Sequence, residues 1–152
     1  MKKIFFALLL IVICSSDIVA QVEYKVVTAV ESLVTSGVGR SRIIDANEEK
    51  NYEDYTTIRT DDKNTDKKNK SDRGDIRMRN YEETKLLNFY NITGIRFQNI
   101  AANDAVMTSK INKLVSEGWE LAFVNTGVES DAGKGDGNAI FITRYIFKRN
   151  IQ

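Results

Sequence analysis

The chain has no histidine, and its one cysteine, Cys14, lies inside an apolar leader. The first absence removes the commonest general base. The second leaves no thiol nucleophile, no disulfide and no ordinary zinc or haem ligation once the leader is gone. Only carboxylates, lysines and hydroxyls remain for chemistry, so a non-catalytic protein without cofactor or metal is expected. An excess of charge is missing too. The formal net charge is +1, and it falls to zero when Lys2, Lys3 and Asp17 leave with the leader. Affinity for nucleic acid comes largely from phosphate neutralisation, so no nucleic-acid partner is expected.

The longest apolar run, Ile4 to Ile13, follows the basic start Met1-Lys2-Lys3 and precedes Asp17-Ile18-Val19-Ala20-Gln21. A run of this length is short for a hydrocarbon core of about 30 Å, and the order of basic, apolar and small residues is that of a secretory signal peptide. Residues 1–20 are therefore excluded from the fold as a cleaved leader, with no membrane span, and an exported, periplasmic or outer-membrane-associated protein is expected. Lipid attachment at Cys14 is disfavoured because Ile13 stands where the processing machinery wants a small side chain.

Residues 21–152 are of a length that favours a single domain. "VEYKVVTAVESLV", "TSGVGRS" and "RIIDA" read as a strand, a glycine-containing hairpin loop and a second strand. Residues 61–75, "DDKNTDKKNKSDRGD", hold no apolar side chain. Ordering them would cost about 1–2 kcal/mol of conformational entropy per residue with no hydrophobic return. A disordered charged loop is expected there, with a modest strand at Tyr55 to Arg59 before it. The stretch from Tyr81 to Ile100 fits neither period cleanly and is read as extended.

Asn103 offers an N-cap oxygen, Asp104 puts negative charge at the positive end of a macrodipole, and Met107, Ile111, Leu114 and Val115 recur at helical spacing. The spacing predicts one helix over about 104–117. Gly118 then suits a left-handed cap, and Trp119 closes the helix onto a strand whose Trp119, Leu121 and Phe123 share one face, with Glu120, Ala122 and Val124 on the other. This predicts a structural corner at Gly118 and Trp119.

"YKVV" at 24–27, "EGWEL" at 117–121 and "FKR" at 147–149 resemble the marks of a family of small bacterial domains of unknown function. The wider pattern, including "GVGRSRII", "KLLNFYN" and "DGNAIFITRYIFKR", looks like exported proteins of Bacteroidota, with most of 31–100 as an insertion. The resemblance implies an α+β fold, an antiparallel β-sheet packed by one main α-helix. It implies no activity.

Other candidate sites have plain structural readings. "SDAGKGDGNA" at 130–139 lacks the ligand spacing of a calcium loop and the glycine and Ser/Thr of a phosphate loop, and so reads as a connection between strands. "GVGRSR" at 37–42 lacks the third glycine of a dinucleotide fingerprint and has no helix behind it. The glutamates Glu82, Glu83, Glu117, Glu120 and Glu129 are spaced in no way that requires paired acid/base work. In the last strand Phe141, Thr143, Tyr145 and Phe147 face one way and Ile140, Ile142, Arg144 and Ile146 the other. One helix covers one face, so the second must be covered by the insertion around Leu86 to Phe97 or by another protein.

Two functions follow as expectations. The first is an interaction protein or accessory subunit of a cell-envelope assembly, docking by its sheet face or edge, or self-associating. The alternative is a binder of a small ligand or anion through "GVGRSR" and the glycine-rich loop. Arg40, Arg42, Arg144 and Tyr145 are the side chains expected to meet a partner or an anion.

Overall fold

A computed structural model describes residues 21–32, 41–91, 93–129 and 140–151. Residues 1–20, residues 33–40 with Arg40 and the glycine-rich stretch at 130–139 lie outside the described residues. The described chain forms an α+β fold. Five antiparallel strands stand in the order β3-β2-β1-β7-β6, namely Tyr81–Lys85, Arg42–Ala46, Gln21–Ser32, Ile140–Ile151 and Glu120–Glu129. The β-branched first strand pairs with the last along its whole length, from Gln21 opposite Ile151 to Ser32 opposite Ile140.

The helix, α2, spans Phe97–Ser116 and lies on one face of the sheet. Val27, Ala29, Ile43 and Phe147 meet Met107, Leu114 and Trp119 there in a buried core. Strand register places Lys25, Val27 and Ala29 beside Phe147, Tyr145 and Thr143 on this face, which is the alternation expected for β7.

The helix begins seven residues before the expected start. Arg96 stands at its N-cap with no side-chain cap bond, so the usual signal is missing. Asn103, expected as the cap, is instead a buried residue inside the helix. Its side chain accepts from Leu87 N–H (2.8 Å) and donates to Leu87 C=O (2.8 Å) and Glu31 Oε1 (3.0 Å). A side chain that can bond backbone in either setting was claimed by a distant strand exit. Val115 is half exposed at 52 %, outside the buried stripe.

The stretch read as extended from Tyr81 to Ile100 is divided. After β3, Leu86 is buried, and Tyr90–Asn91 (β4) and Gly94–Ile95 (β5) form a two-stranded hairpin closed at Gly94, whose φ of +114° favours glycine. Asn99 Nδ2 donates to Asn88 C=O (2.8 Å), so asparagines tie this stretch to the helix.

Residues 48–80 hold short turns rather than a strand at 55–59. Tyr52–Tyr55 is a 3-10 turn, and Ile58 pairs with Lys67 in an isolated bridge. The charged segment 61–75 carries local hydrogen bonds, a 3-10 turn at Lys63–Thr65 and the short helix α1 at Arg73–Ile76. None of its described side chains is buried, as expected where no apolar group repays ordering.

Candidate functional site

The corner at 117–120 is the end of α2. Gly118 has φ +87°, Gly118 N–H donates to Val115 C=O (3.0 Å) and Trp119 N–H donates to Leu114 C=O (3.1 Å). These two bonds are the Schellman pair, and they satisfy carbonyls the helix end would leave open. A side chain at 118 would meet no atom within 4 Å, so only backbone conformation restricts the position. Gly118→Val is therefore expected to lose about 1–2 kcal/mol of stability, the left-handed penalty alone. Chemical denaturation of the variant checks this, and Gly118→Asn should lose visibly less.

Trp119 is 8 % exposed and packs in the core with Leu114. The Arg149 guanidinium stands 4.2 Å from its ring centroid, and Arg149 Nε donates to Glu23 Oε2 at 2.7 Å. The ring face attracts the cation, and the carboxylate fixes it there.

Beside this stack the sheet has a step. β2 ends at Ala46, whereas β1 runs on past it to Gln21, so among the described residues the first part of β1 has no strand neighbour on that side. The step opens a cleft of ≈ 500 Å³ lined by Glu23, Lys25, Glu48, Glu117, Trp119 and Arg149, among others. Carboxylates predominate over cations in that lining. Glu48 Oε2 is shielded from solvent without a hydrogen-bond partner, while Glu48 Oε1 lies 3.4 Å from Lys50.

Deeper on the same face, the Asp45 carboxylate, 5 % exposed, sits between Lys25 Nζ and Lys110 Nζ, each at 2.6 Å. Lys110 also reaches Glu82 at 3.3 Å. Burial alone would lower the Lys110 ammonium, but Asp45 and Glu82 outweigh it and hold it above the usual lysine range. In turn the hydrogen bond and charge of Lys110 hold Glu82 below the usual carboxylate range. At the far end of β1, burial raises the Glu31 carboxyl despite the bond from Asn103. Burial also raises the Tyr145 phenol, helped by the charges of Glu31 and Asp104.

Of the four side chains expected to meet a partner or anion, the three described ones do not converge. Arg42 and Arg144 lie on the face away from the helix, at different levels and with β1 between their strands. Arg42 is opposite Val30 and bonded to Glu83 at 2.8 Å, whereas Arg144 is opposite Thr28. Tyr145 faces the helix, and Arg40 lies outside the described residues.

Sequence reasoning missed Lys25, Asp45 and Lys110. Lys25 and Asp45 share the inward parity of Val27 and Ile43, and a charge at an inward strand position is the signal that would have found them.

The face away from the helix is apolar and largely open. It carries Val22, Tyr24, Val26 and Phe123, exposed by 41, 61, 45 and 65 %, beside the half-buried Ile44, Ile142 and Ile146. The stretch around Leu86 to Phe97 does not cover it. Leu86 is buried on the helix side, the Phe89 ring meets the helix-facing Phe141 ring tilted at 6.0 Å, and Phe97 is 76 % exposed. Phe123 joins this face because the register shifts between Leu121 and Phe123. Leu121 is opposite the buried Phe147, but Phe123 is opposite Ile146. The expectation that Trp119, Leu121 and Phe123 share one face fails at this bulge, where an extra residue reverses the alternation.

Among the described residues no group of three or more Asp or Glu is arranged to hold a metal ion, and no helix is long and apolar enough to cross a membrane. Compared with protein-family models, curated proteins and solved structures, the chain matches none.

Proposed function

We propose that the chain is an exported, non-catalytic protein that works by docking on a protein of the cell envelope, as an accessory subunit of an assembly there. The observation that carries this reading is the open sheet face, where Tyr24, Val26 and Phe123 present apolar surface in contiguous register. Contiguous apolar patches of this kind on a protein surface mark contact sites. Export rests on the leader, and cleavage after Ala20 would keep the whole described span of β1, Gln21–Ser32.

The alternative, a binder of small anions, is less well supported. Among the described residues its arginines Arg42 and Arg144 do not converge, and the cleft at the step holds Glu23, Glu48, Glu49 and Glu117 against Lys25 and Arg149, a balance that repels an anion.

Affinity purification of the chain from its own host tests the proposal. A stoichiometric envelope protein should accompany the wild type, and Tyr24→Lys/Val26→Lys should lose it about tenfold or more. Substitutions at exposed positions should leave stability within roughly 0.5 kcal/mol. Equal recovery with the double variant would overturn the assignment of this face.

A further inference from the structure

Among the described residues β6 is an edge strand of the sheet, pairing with β7 on one side only. Every residue from Phe123 to Val128 is exposed, and the run from Leu121 to Val128 has no charge and no proline. An uncharged strand edge is a template for another strand, and proteins usually guard such edges with charge or brevity. The opposite edge is guarded in this way. β3 has five residues, "YEETK", and its Glu83 and Glu82 are engaged by Arg42 and Lys110.

We infer that β6 pairs antiparallel with β6 of a second copy of this chain, in a register centred on Thr126. This goes beyond docking on an envelope partner and uses the strand edge, which shares only Phe123 with the apolar side chains of the open face.

Three observations select the occupant and the register. Cross-strand neighbours must project to the same side of a sheet, so a two-fold pairing can join only residues of equal parity. The bulge before Phe123 ends the regular stretch, which leaves Phe123 to Glu129 as the segment available. Centring that segment on itself at Thr126 gives its longest pairing. It sets Val124 opposite Val128 of the second copy on the helix side, where they are 52 and 60 % exposed. On the other side Phe123 lies diagonal to Gly127 of the second copy. Gly127 has open space where a side chain would be, and an aromatic ring across the ladder covers the backbone a strand glycine exposes. The knob and the hollow occur on the same strand, so the two-fold satisfies both twice.

The register is tested by disulfide trapping in the full chain carrying Cys14→Ser, where an added thiol is the sole one. Thr126 alone meets its own copy across the axis, and opposed Cα atoms about 4.5–5.5 Å apart suit a disulfide. On mild oxidation Thr126→Cys should form a covalent dimer about tenfold faster than Asn125→Cys, which would face Gly127 instead. A charge-swap experiment adds an independent reading. By ultracentrifugation the wild type should be a dimer, Val124→Lys/Val128→Lys and Val124→Glu/Val128→Glu should each be monomers, and an equal mixture of the two should dimerise. A monomeric wild type, or equal trapping rates at 125 and 126, would overturn the inference. A dimer that persists in both charged variants would overturn it too.

Discussion

Trp119→Ala is expected to lower the unfolding free energy by about 3–5 kcal/mol, the range for removing a large buried aromatic. Two losses combine. The ring is 8 % exposed in a core of few large side chains, and it is the platform under Arg149. A domain of this size has a total stability of about 5–15 kcal/mol, so the variant should melt far below the wild type or fail to fold. Trp119→Phe keeps most of the apolar area and should recover the larger part. Thermal melts followed by circular dichroism decide the matter. A melting temperature unchanged in Trp119→Ala, with partner recovery lost, would show that the ring is a contact and not an anchor.

Asp45→Asn should cost about 3 kcal/mol, toward the lower end for removing one member of a buried ion pair. The volume is kept and the charge is lost, leaving Lys25 and Lys110 facing each other across an amide. Both lysines are largely shielded, with side chains 23 and 13 % exposed, so their repulsion is poorly screened. Lys25→Met should cost less, because Asp45 keeps Lys110. The two variants combined should be milder than their sum, since removing Lys25 relieves the repulsion that Asp45→Asn creates. High salt should change the Asp45→Asn loss little. Strict additivity of the two losses would show that the three groups do not act as one cluster.

Much of this architecture was legible in the chain. β-branched stretches announced β1 and β2, the Met107–Ile111–Leu114 stripe announced the helix, and Gly118 announced its end because only a left-handed cap explains glycine between a helical stripe and a strand. The helix start was hidden for a physical reason. Arg96 offers no cap, and Asn103, which does, spends its amide on Leu87 and Glu31, sixteen and seventy-two residues away. No local pattern encodes such a bond. The bulge before Phe123 was equally invisible, since an inserted residue looks like any other until its partner strand is known. The open apolar face was readable from β7 alone, by its two apolar sides. That its cover would not come from 86–97 depended on where Leu86 and Phe89 pack.

The pairing of the first strand with the last also bears on how fast and in what order the chain can fold. β1 lies in the middle of the sheet, yet its longest ladder joins Gln21 to Ile151. Closing so long a loop before any contact rewards it makes folding slow, as in other topologies dominated by distant pairings. During synthesis β1 has no β7 to pair with until Ile140–Ile151 has been made, long after β1 itself. The polypeptide therefore stays without its central ladder until β7 has emerged, and the edge of β1 that β7 covers is open to other strands for all of that time.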